Sequence, residues 1–182
     1  KREEAVDLSL LSDDVKLLYC RALARLALAD GLLDPREISN LYLFASTIGL
    51  GSEGRSELRR EITGAQQVVA GESAVRDSAV VLAAQLHDLL HEDQRETAIT
   101  LLLRDLVRIS RADRDVAENE REGIISIARL EFPDSADKVL EATEQLVIAE
   151  EEFAAGRITT SQLEATTKDI VAARRRSVPL LP

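Results

Sequence analysis

Aromatic residues, proline, glycine and cysteine are all scarce in this chain of 182 residues, and tryptophan and methionine are absent. With two tyrosines and three phenylalanines, the core must be aliphatic, drawn from Leu, Ile, Val and Ala. Scarce aromatic and β-branched residues beside abundant Ala, Leu, Glu and Arg favour helix over sheet, and no strands are expected. The one cysteine, Cys20, excludes an intramolecular disulfide. Its neighbours Tyr19 and Leu23 suggest a partly buried helical position, and a reducing compartment fits. No apolar run approaches the roughly 20 residues of a membrane span, and Lys1-Arg2-Glu3-Glu4 is not followed by a signal-peptide core. A cytoplasmic protein without membrane insertion is expected. Positive charge is in the minority, 23 Lys and Arg against 33 Asp and Glu for a net −10. That balance argues against phosphate-driven nucleic-acid binding, which needs a basic footprint. The local exception, Arg174-Arg175-Arg176, either complements the dipole at the end of the last expected helix or, with Val178-Pro179-Leu180-Leu181-Pro182, forms a partner-docking tail.

What is present is a globular balance of 45% hydrophobic and 31% charged residues, in a chain long enough for one real core. Leu17, Leu18, Leu23, Leu26 and Ala27 recur at helical spacing after the cap candidate Ser12, predicting a helix over about 13–29. Asp34-Pro35-Arg36-Glu37 supplies an N-cap acid, a proline where its missing N–H costs nothing and a capping-box glutamate. The helix it starts ends at Gly49. Ser52 and Ser73 open two more, the second carrying Val80, Val81, Leu82, Leu86, Leu89 and Leu90. A fifth is read from Thr100 to Ile109, a sixth ends before Pro133, Ser135 caps a seventh reaching Gly156, and Thr159 or Thr160 caps an eighth reaching Arg176.

The second half repeats the rhythm of the first. With an offset of 83, Leu23 matches Leu106, Leu26 matches Ile109, Leu41 matches Ile124 and Phe44 matches Ile127. The expectation is an all-α chain, one compact domain over 1–182 of about eight helices, with a pseudo-two-fold repeat whose halves cover about 13–90 and 96–176.

The stretch Ala29-Asp30-Gly31-Leu32-Leu33-Asp34-Pro35-Arg36-Glu37 is echoed by Ala112-Asp113-Arg114-Asp115-Val116-Ala117-Glu118-Asn119-Glu120. It is half a calcium loop at best. An EF-hand needs oxygen ligands at its first, third and fifth positions and a glutamate at the twelfth. With Asp30 fifth and Glu37 twelfth, the earlier ligands would be Leu26 and Leu28, and the second copy fails likewise at Ile109 and Arg111. Ordinary helix chemistry explains part of the pattern: Gly31 as a C′ residue, Asp34 as a cap, Glu37 as its capping-box partner, and Asp115 with Glu118 as the second box. It leaves Asp30, Asp113 and Glu120 without a role.

A helix, an Ala-Asp-Gly turn and a Pro-x-Glu helix start, given twice in an all-helical chain, resembles the TerB family of bacterial tellurite-resistance proteins over about residues 17–132. The second copy has Arg114 in place of the glycine and no proline before Glu120. The resemblance implies that acidic residues, here Asp30, Glu37, Asp113 and Glu120, bind a divalent cation. All-oxygen ligands would favour calcium, magnesium or manganese. It also implies a role in stress response or phage defence through protein complexes, and no enzyme activity. The competing reading is a helical adaptor that binds a protein partner without metal.

Other constellations are thinner. His87 and His91 lie four apart on an expected helix, a zinc-compatible spacing, but no third ligand accompanies them and a surface pair is the plainer reading. Glu150-Glu151-Glu152 reads as a solvated helix face. Gly49-Leu50-Gly51-Ser52-Glu53-Gly54 lacks the lysine and preceding strand of a phosphate loop. Cys20 has no base beside it in sequence, so nucleophilic catalysis has little support.

Overall fold

The computed structural model describes residues 7–28, 35–67, 72–111 and 118–177. Among them are eight α-helices and no strand: α1 (Asp13–Ala27), α2 (Pro35–Thr47), α3 (Ser52–Gln67), α4 (Glu72–Leu89), α5 (Glu92–Ser110), α6 (Glu118–Ala128), α7 (Ala136–Ala154) and α8 (Thr160–Ser177). Local chemistry sets many of the ends. The Ser12 hydroxyl accepts the Val15 N–H at 3.4 Å, capping α1. Before α8, Thr159 and Gln162 form a reciprocal capping box, with Gln162 N–H donating to Thr159 Oγ1 at 3.2 Å and Thr159 N–H to Gln162 Oε1 at 2.8 Å. Helices α2 and α7 each stop at a left-handed glycine, Gly49 at φ 74° and Gly156 at φ 71°. The residue after each glycine closes a Schellman bond, Leu50 to Ala45 and Arg157 to Glu152.

Four boundaries differ from the sequence reading. Helix α5 begins at Glu92 rather than Thr100, because the polar stretch before Ala98 continues the helix out of the core and its acids Glu92 and Asp93 suit the positive end of the dipole. Helix α4 stops at Leu89, and His91 is the extended N-cap residue of α5, so His87 and His91 do not share a helix. Helix α6 ends at Ala128, where tight turns through Leu130 and Phe132 take over ahead of Pro133. Ser135 does precede α7, but at φ −135° its side chain makes no capping bond.

The core is aliphatic and centres on α1 and α5. Ala22, Leu23 and Leu26 of α1 and Ile99, Leu102, Leu103 and Val107 of α5 are completely buried. Helix α1 packs on α2, α3, α4, α5 and α6, most extensively on α4, while α5 packs on α1, α6 and α7. Helix α4 also runs alongside α6 in the same direction, tied at one end by Arg76 Nη1 to Glu122 at 2.6 Å and at the other by His87 Nε2 to Glu131 at 2.7 Å. Helix α8 lies chiefly against α7, and most of its surface is exposed.

Applied to the structure, the 83-residue offset carries Ala27, the end of α1, to Ser110, the end of α5, and Pro35, the start of α2, to Glu118, the start of α6. This agreement of helix ends does not establish the pseudo-two-fold repeat, and the packing departs from it: α4 covers α1 and α6, whereas α8 sits on α7.

Candidate functional site

Glu37 is the third residue of α2 and Glu120 the third residue of α6, positions that correspond under the offset. Each is only 3% exposed. A carboxylate in the first helical turn is favoured by the dipole, but burying one is costly unless other groups neutralise it or hydrogen-bond to it. Neither residue is without a partner. Asp30 and Asp113, with Gly31, Asp34 and Asp115, lie outside the described residues. Of the four acids singled out in the sequence, two are therefore placed, both buried, on helices that each pack against α1. Among the described residues, no group of three or more His, Cys, Asp or Glu side chains is arranged to hold a metal ion.

The remaining candidates resolve into structural roles. His87 is held by Glu131, and His91 is exposed at the start of α5, so the zinc-spaced pair does not form on one helix. The run Glu150-Glu151-Glu152 is not simply solvated. Glu150 receives Arg104 and Arg108, Glu151 receives Arg111 at 2.9 Å and Glu152 receives Arg157 at 2.6 Å. Arg174 lies over the Phe132 ring at 5.1 Å and within 3.7 Å of Glu96, so it anchors α8 to the body. The segment Val178 to Pro182 lies outside the described residues. Gly51 abuts an acid, since an added Cβ would stand 3.0 Å from Asp13 Oδ2, the wrong charge for a phosphate loop.

Cys20 is 1% exposed, and burial, reinforced by nearby Asp105, pushes its thiol up to about 12. Such a group stays protonated and unreactive at neutral pH. Thiol-reactive dye in mildly alkaline buffer should label the native protein orders of magnitude more slowly than the denatured chain. Equal rates in the two states would place Cys20 at the surface.

Two features escaped the sequence reading. Asp105 of α5 accepts the Tyr19 hydroxyl at 2.6 Å, and burial raises its carboxyl above the usual range against the opposing pull of that bond, Arg108 and Arg104. Tyr19 in turn stacks on Phe44 with centroids 5.3 Å apart. The signal for Asp105 was its place beside Leu106 on a leucine-rich helix; its partner is remote in sequence. The second feature is an arginine fork. Arg21 and Arg25 of α1 converge on Glu61 of α3 at 2.5 and 2.6 Å, and their offset counterparts Arg104 and Arg108 of α5 converge on Glu150 of α7.

A groove of about 320 Å³ opens between α2 and α5, lined on one side by Asn40, Leu43 and Phe44 and on the other by Asp105, Arg108 and Ile109. Among the described residues no helix is long and apolar enough to cross a membrane. No curated protein and no solved structure matches the chain. A family model, that of tellurite resistance protein TerB, does match, over residues 16–132. That match takes in the arginine fork of α1, the buried glutamates of α2 and α6 and the groove between α2 and α5. It covers well over half of the chain, which belongs to the TerB family.

Proposed function

We propose that this protein is a non-catalytic TerB module whose acid-bearing turns bind a hard divalent cation through Asp30, Glu37, Asp113 and Glu120, and which acts with protein partners in a cytoplasmic stress-response or defence complex. The observation that carries this reading is the matched burial of Glu37 and Glu120, each 3% exposed. Ordinary capping glutamates keep their carboxylates in water, whereas these two are buried among partners at corresponding positions, which sets them apart from plain helix starts. The donor chemistry fits the cation. Carboxylate oxygens suit calcium, magnesium or manganese better than zinc or copper, and a cation shared by these four acids would offset their mutual repulsion. Family membership supports the same reading.

Thermal unfolding with added metal tests it. A ligand that binds only the folded state at a hundred times its Kd adds about 2.7 kcal/mol, which raises the Tm of a domain of this size by about 5–10 °C. That rise is expected with calcium, magnesium or manganese, and its loss in Asp30→Asn and in Glu120→Gln. A melting curve unmoved by millimolar concentrations of all three ions would leave the adaptor reading in its place.

A further inference from the structure

From the unequal packing of the two halves, we infer that the groove between α2 and α5 is a docking site for one amphipathic helix of a partner protein, with a leucine-rich face and a basic polar face. The site is separate from the acidic turns, because none of the four acids lines it. The 83-residue offset carries its walls onto a surface that the chain itself covers. Asn40 corresponds to Gly123, Phe44 to Ile127, Asp105 to Ala22 and Ile109 to Leu26. Those four counterparts belong to α6 and α1, the two helices along which α4 lies. An added Cβ at Gly123 would meet Leu26 Cδ1 at 2.4 Å and Arg76 Cγ of α4 at 3.0 Å. Helix α4 buries Ala79, Leu82, Ala83 and Leu86 in return, a small-and-leucine stripe at helical spacing. The helix that would play this part in the second half is α8, and it sits on α7 instead. The α2–α5 side therefore keeps an open groove with Leu43 67% exposed.

Size and charge select the occupant. A stable dimer interface takes about 20–30 residues from each side, far more than line this groove, whereas a partner helix can anchor with two or three side chains at i, i+3 or i+4, and i+7. A second copy of the chain is a poor fit on that ground. The charged groups on the walls are already engaged, Arg108 with Glu150 and Asp105 with the Tyr19 hydroxyl and Arg108, so the groove asks an apolar face of its occupant. The net charge of −10 then favours a basic outer face on that helix over an acidic one.

The test uses the full chain and three synthetic peptides: a helical one with leucines at i, i+4 and i+7 and lysines on the other face, its scrambled sequence, and the same leucine pattern with glutamates replacing the lysines. Amide chemical-shift mapping should show saturable shifts confined to α2 and α5 with the lysine-faced helix alone. Leu43→Glu, at an exposed position that leaves folding intact, should weaken that binding at least tenfold with no change in Tm. Metal addition should leave it unchanged, so failure here and failure of the cation reading can be told apart. Shifts elsewhere, equal binding of the scrambled or acidic peptide, undiminished binding by Leu43→Glu, or a self-association that Leu43→Glu abolishes would each overturn the proposal.

Discussion

Gly123→Val is expected to destabilise the domain by about 1–3 kcal/mol, the usual cost of forcing extra carbons into a filled core. The direction is opposite to what helix propensity alone would give, since replacing a mid-helix glycine normally stabilises, by about 1 kcal/mol for alanine and by less for valine. Gly64 in α3 should follow propensity, because nothing stands within 4 Å of a Cβ added there. At Gly123 the same Cβ falls 2.4 Å from Leu26 Cδ1 and 3.0 Å from Arg76 Cγ, and Leu26 is completely buried, so its side chain can turn away only by displacing core neighbours. The packing of the Leu26 side chain against α6 thus favours glycine at this position. Leu26→Ala alone should cost about 2–5 kcal/mol through the cavity it leaves. Combined with Gly123→Val it should cost less than the sum of the two, because the valine methyls enter the vacated space. Denaturant unfolding of wild type, both single variants and the double variant closes the cycle. Strict additivity, or a Gly123→Val protein as stable as Gly64→Ala, would mean that the two side chains do not meet.

How far the sequence carried this picture depends on the range of each interaction. The helices were legible because aliphatic spacing, Ser12, Gly49, Gly156 and Thr159 act within one or two turns. Helix α5 was started too late because its first two turns, Glu92 to Thr97, contain no apolar residue to mark a buried face. The acids were found as a pattern, but the burial of Glu37 and Glu120 was not readable. A capping-box glutamate looks the same in sequence whether water or protein surrounds it. Pairings across the fold were out of reach for a plainer reason. Tyr19 finds Asp105 at a separation of 86 residues, and Arg104 finds Glu150 at 46. Nothing local in either partner specifies the other. The groove was equally hidden, because it exists through the different placement of α4 and α8, which share a helical pattern and differ in what they pack upon.

Glu61→Ala should destabilise by about 2 kcal/mol, and Glu150→Ala by about 0.5–1 kcal/mol, although each removes the acid at the centre of the same kind of arginine fork. The difference comes from water. The Glu61 side chain is 10% exposed between Arg21 and Arg25 at 34% and 29%, so deleting it strands two guanidinium groups that are only partly hydrated. The Glu150 side chain is 27% exposed and its partners Arg104 and Arg108 are at 37% and 44%, so water takes over more of the lost contact. Triple variants separate the two cases further. Adding Arg21→Met and Arg25→Met to Glu61→Ala should recover part of the loss, since a partly desolvated charge without its partner is worse than an apolar side chain of similar length. The same additions at Arg104 and Arg108 should recover little around Glu150. Chemical denaturation at low and high salt supplies the check. The Glu150 contribution should fade as salt screens exposed charges, while the Glu61 contribution persists. If both fade alike, the inner fork is as wet as the outer one and α3 is held to α1 by its apolar contacts, Leu58 and Ile62, alone.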